Sequence, residues 1–213
     1  LKRKIIANPN CSTIQSVVPL KPLADAFGLD RVAYTTYQAV SGSGKGGIDD
    51  LLNGQDGKEP KKYPHPIYNN VLPHIDVFLD NGYTKEEMKM IEETKKIMND
   101  PAMSITATTV RVPVYRSHAE SVNVEFLHEV SPAAAKKAIA AFPGLLLRDD
   151  PAAMEYPMPL FTSGKDAVEV GRLRKDDTVP HGLNFWVCGD QIRKGAALNA
   201  LQIAEYMIDH EMI

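Results

Sequence analysis

The sequence predicts an α+β fold built on a mixed, largely antiparallel sheet with helices packed on one of its faces. Segments that alternate apolar and polar residues fill the middle of the chain, amphipathic helical segments lie between them, and a long helical segment ends the chain. The 213 residues are 44% hydrophobic, which is enough to bury a sizeable core. Length and composition allow one large domain or two small ones.

The first part of the chain predicts a helix and a strand, followed by irregular structure. Residues 3–8 (RKIIAN) predict a short strand, and residues 11–27 predict a helix that two internal prolines must bend or shorten. Residues 31–40 alternate as a strand does. A Gly-rich turn and a short helix over 48–54 follow, and residues 54–75 predict an irregular excursion because Gly, Pro and Asn recur there.

The second part predicts the remaining sheet and helices. Its elements are a charged amphipathic helix over 85–99, strands over 104–115, 120–130, 167–174 and 183–189, and a final helix over 190–213. Another helix opens at Ser131-Pro132, since serine is a favoured N-cap and proline is favoured at the first helical position.

Composition excludes several classes of function. The formal net charge is −3 with both signs interspersed, so a nucleic-acid-binding surface is not expected. The sequence contains neither an apolar stretch of membrane-spanning length nor the long apolar segment of a signal peptide. Two cysteines cannot form a disulfide framework, so we expect a reducing, cytoplasmic location. CxxC and HxxxH spacings are both absent, so no metal site is predicted.

Cys11, in the segment NPNCSTIQ, is the first candidate for chemistry. A cysteine at the start of a helix lies among unpaired backbone N–H groups and at the positive end of the helix dipole, and both favour the thiolate. The same N–H groups can stabilise an oxyanion that forms when the sulfur attacks a carbonyl. The alternative is a small buried hydrophobic residue, which suits Cys188 in the apolar segment FWVCG better.

His118 and Arg111, in the segment RVPVYRSH, are the second candidates. His118 follows a predicted strand end, where functional residues are common, and could serve as the base that a nucleophilic cysteine needs. Arg111 would lie within the strand and would require an anionic ligand or partner there. For both residues an ordinary structural role stays open: a surface or structural histidine, and an arginine on an exposed sheet face or in a salt bridge.

The Gly-rich segment SGSGKGG satisfies the pattern G-x-G-x-x-G between a strand and a short helix. No acidic residue ends a second strand about 20 residues later, as a dinucleotide-binding unit requires. No Lys-Ser or Lys-Thr pair follows the last glycine, so the segment does not match a P-loop either. We interpret it as a turn whose backbone approaches a ligand closely.

Five motifs in the same order resemble those of the bacterial aspartate-β-semialdehyde dehydrogenase family: NPNCSTIQ, YQAVSGSGKGG, EETKKI, RVPVYRSH and GDQIRKGAALNALQIAE. The resemblance covers essentially the whole chain. It implies that Cys11 forms the acyl-enzyme and that His118 is the acid/base. It also implies that Gln38 orients the substrate and that Arg111 binds the substrate carboxylate.

The same resemblance implies the remaining site residues. Glu93 would bind the substrate amino group, while Lys96 and Asn10 would bind phosphate. Cofactor contacts would come from the Ser41–Gly42 backbone and from Gln191, where many relatives have asparagine. The implied substrates are aspartate semialdehyde and phosphate, and the implied cofactor is NADP without a metal.

The resemblance also implies an organisation. Residues 1–213 would be the catalytic and dimerisation domain of a homodimer, or of a tetramer, and the nucleotide-binding domain would lie outside them. The helix over 190–213 would pack on that second domain. Because the chain lacks an initiator Met and begins mid-pattern, we expect it to be a piece of a longer protein.

Three alternatives are open at this point. An N-acetylglutamyl-phosphate reductase would also use a cysteine and a histidine, but its acylated substrate amine would not need Glu93. A Cys–His hydrolase would need neither nicotinamide nor phosphate. A catalytically inactive fragment would serve only as a dimerising module.

Overall fold

The computed structural model describes residues 5–212. Its helices are α1 (Cys11–Phe27), α2 (Lys45–Gly54), α3 (Lys85–Ile97), α4 (Pro132–Ala140), α5 (Pro159–Thr162) and α6 (Leu198–Asp209). Its strands are β1 (Leu29–Gln38), β2 (Ser104–Arg111), β3 (His118–Phe126), β4 (Leu145–Leu147), β5 (Val168–Asp176) and β6 (Gly182–Gly189). Short 3₁₀ turns cover Val40–Ser43 and Pro151–Ala153, and a π-helical turn covers Arg193–Ala197.

The strands form one six-stranded sheet in the order β2-β1-β3-β6-β5-β4. The outer pairs β1·β2 and β4·β5 are parallel. The pairs between them are antiparallel, which confirms the predicted mixed, largely antiparallel sheet. Helices α1, α3 and α4 pack together on one face of it, as predicted.

The core lies between that helical layer and the sheet. Leu20 and Leu23 of α1, Met90 of α3 and Ile139 of α4 are fully buried against strand residues. Helix α1 continues unbroken through Pro19 and Pro22, both of which are buried. A proline inside a helix costs roughly 3 kcal/mol, so the apolar packing of this helix offsets the missing backbone hydrogen bonds.

Several elements differ from the sequence prediction. Residues 5–8, the described part of the predicted strand over 3–8, have no regular structure. Strand β4 was not predicted, because three residues are too few to show a periodic pattern. Strand β2 ends at Arg111, whereas the prediction extended it to residue 115. The final helical segment starts with the π-helical turn. In the described part of the chain, no helix is long and apolar enough to cross a membrane.

The strand directions bring three polar residues to one end of the sheet. Gln38 at the end of β1 pairs with Arg111 at the end of β2, since these strands are parallel. β3 runs antiparallel to β1 and begins at the same end with His118. The start of α1 lies over this end, where the Gln15 side-chain amide donates to the Gly189 carbonyl over 2.9 Å. Residues distant in sequence therefore converge there.

Candidate active site

Cys11 is the first residue of α1 and lines a cleft of about 440 Å³. Asn10 is the N-cap, and its side-chain oxygen accepts from the backbone N–H groups of Ser12 at 3.0 Å and Thr13 at 3.2 Å. Gly195, in the π-helical turn, lies so close that a Cβ there would be 3.1 Å from the Cβ of Cys11. The predicted helix start is therefore observed, and Cys11 is half-buried there.

The predicted acidity of the thiol is not observed. Burial, and then the negative charge of Glu86, raise the pKa of Cys11 to about 12. Arg111 and the Ser12 backbone N–H lower this pKa, but by less. The sequence argument from the helix N-terminus was wrong about the net direction, because it could not include desolvation. In this state the thiol is protonated at neutral pH.

Arg111 is the last residue of β2, whereas the sequence analysis predicted it inside the strand. Only 5% of its surface is exposed. One terminal nitrogen, Nη1, donates to the Ala39 carbonyl over 2.7 Å. The Nε atom is buried and has no hydrogen-bond partner within residues 5–212. Arg111 lines the cleft beside Cys11, so its guanidinium has donors left for an anionic group that enters there.

His118 is the first residue of β3 and is fully buried. Its Nδ1 accepts from the backbone N–H of Ala39 over 3.0 Å, which assigns the ring proton of the neutral tautomer to Nε2. Nε2 is buried without a hydrogen-bond partner among the described residues. Burial, and then the charge of Arg111, hold the pKa of His118 well below its usual value. The ring is therefore a neutral donor in the resting site.

Gly42 borders both of these side chains and the cleft. A Cβ at this position would lie 3.0 Å from Cε1 of His118 and 3.1 Å from Nη1 of Arg111. Glycine therefore allows the main chain to pass close to both functional groups. The close approach of the Gly-rich turn to a ligand stays a prediction.

Gln191 connects three segments next to this turn and is nearly buried. Its Nε2 donates to Ser41 Oγ, and its Oε1 accepts from the Ser117 backbone N–H over 2.8 Å. Ser41 and Gln191 are thus in contact, and their roles as cofactor contacts stay predictions. Within the described chain, however, both ends of the Gln191 amide already have partners.

Glu86 and Gln38 form the floor of the cleft with Asn10. Glu86 Oε1 accepts from Asn10 Nδ2 over 2.8 Å and from Gln38 Nε2 over 3.3 Å. Glu86 Oε2 accepts from Lys89 Nζ over 3.4 Å, and Lys89 also contacts Asp76 over 3.0 Å. This gives the cleft a carboxylate that is 6% exposed and an ammonium group beside it.

Glu93 and Lys96, which the resemblance implied for this position, lie elsewhere. Glu93 Oε2 accepts from the Asn10 backbone N–H over 2.7 Å, so Glu93 supports the N-cap residue but does not line the cleft. Lys96 is exposed near the end of α3. The pattern E-x-x-K occurs in α3 at Glu86–Lys89 and again two turns later at 93–96. Two turns keep the same helix face but move the residue by roughly 10 Å along the axis.

The sequence prediction also missed a loop that forms one wall of the cleft. Lys62, Tyr63 and Pro64 line it. Both carboxylate oxygens of Asp50 anchor this loop by accepting from the backbone N–H groups of residues 61, 62 and 63 over 2.8, 2.8 and 2.9 Å. No pattern in this irregular region indicated these contacts, because the donors are backbone N–H groups, which residues of almost any type can supply.

Comparison with known proteins assigns the family. A family model described as "Semialdehyde dehydrogenase, dimerisation domain" matches residues 20–194. The chain belongs to this family. Aspartate-semialdehyde dehydrogenase of Aquifex aeolicus is 50% identical over 219 residues, which cover 100% of this chain and 64% of that protein. The chain thus spans less than two thirds of this relative's length.

Two solved structures support the same assignment of the domain. Aspartate semialdehyde dehydrogenase II of Vibrio cholerae, described as complexed with ASA, is 46% identical with a TM-score of 0.93. It matches over 98% of this chain and 63% of its own. The Candida albicans enzyme, described as a complex with NADP, is 26% identical with a TM-score of 0.74, over 98% of this chain and 59% of its own.

Proposed function

We propose that the chain is the catalytic and dimerisation domain, residues 1–213, of an NADP-dependent aspartate-semialdehyde dehydrogenase. The reaction interconverts L-aspartate 4-semialdehyde, phosphate and NADP with L-4-aspartyl phosphate and NADPH, in the biosynthesis of lysine, methionine and threonine. The observation that carries this proposal is that one cleft holds a thiol, a carboxylate and a guanidinium. These are the groups that a short amino acid with a reactive carbonyl requires.

Acyl transfer to Cys11 follows from the groups in the cleft. The sulfur attacks the carbonyl carbon of the acyl phosphate, the bond from that carbon to the phosphate oxygen breaks, and phosphate leaves, so that a thioester remains on Cys11. The thiol proton leaves with the phosphate or to water. Because His118 carries its proton on Nε2 and has no partner there among the described residues, it can donate to the carbonyl oxygen as negative charge develops.

Two charged residues would hold the amino-acid head. Arg111 would bind the carboxylate with its free guanidinium donors, and Glu86 would accept from the ammonium group. We assign the ammonium contact to Glu86 because it lines the cleft, and we assign phosphate contacts to Lys89 and Asn10. Gln38 would orient the substrate through its contact with Glu86. Two charged contacts set one orientation, and orientation supplies much of the rate.

The cofactor assignment rests on the Gly-rich turn. Gly42 is exposed, lines the cleft and has no side chain, so a planar ring can approach the main chain of this turn closely. Ser41, Gly42 and Gln191 would contact NADP there, and the remainder would be bound outside this chain. NADP supplies hydride acceptance or, as NADPH, hydride donation at the carbon attached to Cys11.

The assembly assignment rests on the sheet face that the helical layer leaves open. Tyr37 and Trp186 are in contact there, with ring centroids 5.3 Å apart. Around them the face is polar, and Asn123 connects to Arg31 and Asn184 over 3.1 and 3.0 Å. We assign this face to a homodimer with a two-fold axis. The exposed side of α6 would pack on the nucleotide-binding part of the full protein.

Glu86 also discriminates between this function and its closest alternative. An N-acetylglutamyl-phosphate reductase binds an uncharged amide nitrogen, which gains little from a buried carboxylate. A free ammonium group pairs with it directly. The carboxylate in the cleft therefore favours an amino-acid substrate with a free amine.

Acyl-enzyme formation tests the proposed function on the chain itself, since this half-reaction needs no nucleotide. We expect L-4-aspartyl phosphate to add one aspartyl group to the protein, detected as an intact-mass increase that maps to Cys11. The Cys11→Ser variant should not form the thioester, whereas Cys188→Ser, the matched control at a fully buried thiol, should form it. An unmodified wild-type chain, or equal modification of the Cys11→Ser variant, would contradict the proposal.

A further inference from the structure

A buried polar cluster lies between α1 and β3, directly behind the cleft. It consists of Ser12, Gln15 and Ser16 of α1 together with His118 and Glu120 of β3, and none of these side chains is exposed to solvent. Glu120 has no role in the reaction proposed above. A carboxyl group in such surroundings is costly unless it is neutral or paired.

The contacts of Ser16 fit a neutral Glu120. Ser16 Oγ lies 3.0 Å from the Ser12 carbonyl oxygen and also contacts Glu120 Oε2. The hydroxyl has one proton, and a carbonyl oxygen can only accept. Both contacts are hydrogen bonds at the same time when Ser16 donates to Ser12 and a protonated Glu120 donates to Ser16.

A second buried carboxylate shows how a charged one is accommodated in this fold. Glu169 is also fully buried, but it pairs with Arg148 over 3.1 Å and with Lys165 over 3.0 Å. Glu120 pairs with no cation among residues 5–212, and its Oε1 has no hydrogen-bond partner there. Burial accordingly raises the pKa of Glu120 to about 8, although the Ser16 contact lowers it.

The cluster is coupled to the nucleophile. Ser12 directly follows Cys11, and Ser16 lies one turn further along the same helix. A negative charge on Glu120 raises the pKa of the Cys11 thiol through the low-dielectric interior. The protonation state of Glu120 therefore changes the ease with which Cys11 ionises.

We propose that Glu120 is a positioning residue for Cys11: as a neutral acid it joins β3 to α1 through Ser16, and its ionised form suppresses thiolate formation in the cleft. The consequence for turnover rests on the proposed function, but thiol chemistry at Cys11 does not. Alkylation of Cys11 therefore tests this role of Glu120 even if Cys11 forms no acyl-enzyme.

The other titratable groups near Glu120 do not change charge in the relevant pH range. Burial raises the pKa of Tyr34 on β1 and of Cys188 on β6, so both stay neutral. His118 on β3 also stays neutral, because burial lowers its pKa. Between about pH 6 and pH 10, Glu120 is therefore the group of this cluster that changes charge.

Alkylation of Cys11 by iodoacetamide as a function of pH tests the proposal. The measurement uses the chain in a Cys188→Ser background, with peptide mass spectrometry to confirm the modified site. Glu120→Gln keeps a neutral hydrogen-bonding side chain, so below about pH 7 Cys11 should be alkylated at the same rate in this variant as in the Cys188→Ser parent. Above about pH 9 the Glu120→Gln rate should be about tenfold higher, because the buried charge is absent.

Two further variants keep the result interpretable. Glu125→Gln, on the same strand but on the opposite sheet face, should reproduce the profile of the Cys188→Ser parent. Ser16→Ala removes the contact that lowers the Glu120 pKa, so the onset of suppression should move to higher pH. This shift carries the test if Glu120→Gln fails to fold. The proposal would be overturned if the alkylation rate of Glu120→Gln had the same pH dependence as that of the parent. It would also be overturned if suppression began at the same pH in Ser16→Ala as in the parent.

Discussion

Replacement of Glu86 by glutamine should have two opposite effects, on substrate binding and on thiol reactivity. The carboxylate lines the cleft and contacts Asn10, Gln38 and Lys89. Glutamine is nearly isosteric and retains one acceptor oxygen, so the floor of the cleft should keep its shape. What is removed is the negative charge that would bind the substrate ammonium group.

The structure sets the size and sign of both effects. A hydrogen bond to a charged group contributes about 1.5–3 kcal/mol, so the half-saturating concentration of L-4-aspartyl phosphate should rise roughly 10- to 150-fold. Glu86 also raises the pKa of the Cys11 thiol. Its removal should therefore lower that pKa and accelerate alkylation of Cys11 at pH 7 by roughly threefold to tenfold.

The assay measures the rate of acyl-enzyme formation against substrate concentration, with iodoacetamide alkylation in parallel. Glu93→Gln is the matched control, because its amide oxygen can still accept from the Asn10 backbone N–H. Both quantities should then change less than twofold. A larger rise in half-saturation for Glu93→Gln than for Glu86→Gln would refute the assignment of the ammonium contact to Glu86.

Four further outcomes are expected. Arg111→Leu should weaken binding of aspartate semialdehyde by roughly 2–4 kcal/mol and phosphate binding far less, measured in a full-length chimera with the Aquifex relative; equal losses would assign Arg111 another role. Gly42→Ala should abolish acylation while the melting temperature is retained, because the added Cβ meets the imidazole and the guanidinium at 3.0 and 3.1 Å. Asp50 is stabilised as a carboxylate: burial raises its pKa, but three backbone N–H groups lower it by more. Its contribution should therefore be present above the usual aspartate pKa and lost as pH falls through the lowered value, so wild type and Asp50→Asn should converge in melting temperature in acid; a constant difference would contradict this. Sedimentation at micromolar concentration should show a dimer, for which an interface of at least about 2,000 Å² is expected, and a monomer would argue against the open sheet face as the interface.

Local sequence patterns determined the elements that depend on neighbouring residues. The helix over Cys11–Phe27 follows from an asparagine N-cap and an apolar stripe, and its observed bounds are those predicted. Ser131 caps α4 as predicted, through a hydrogen bond to the Ala134 backbone N–H over 3.2 Å. Alternation was sufficient to predict β1, β3, β5 and β6, since a strand with one buried face repeats every two residues. The three-residue β4 is below the length at which alternation is detectable.

Tertiary structure decided which of the candidate residues share the cleft and what state they are in. Glu86 and Glu93 have the same local spacing to a lysine, and only the docking of α3 against α1 and β2 brings the first to Cys11 and the second beneath Asn10. The sequence indicated a thiolate at Cys11, whereas burial and Glu86 favour the thiol. Helix dipoles and caps act over one turn and can be read locally, but desolvation and Coulomb interactions depend on every group that the fold brings near.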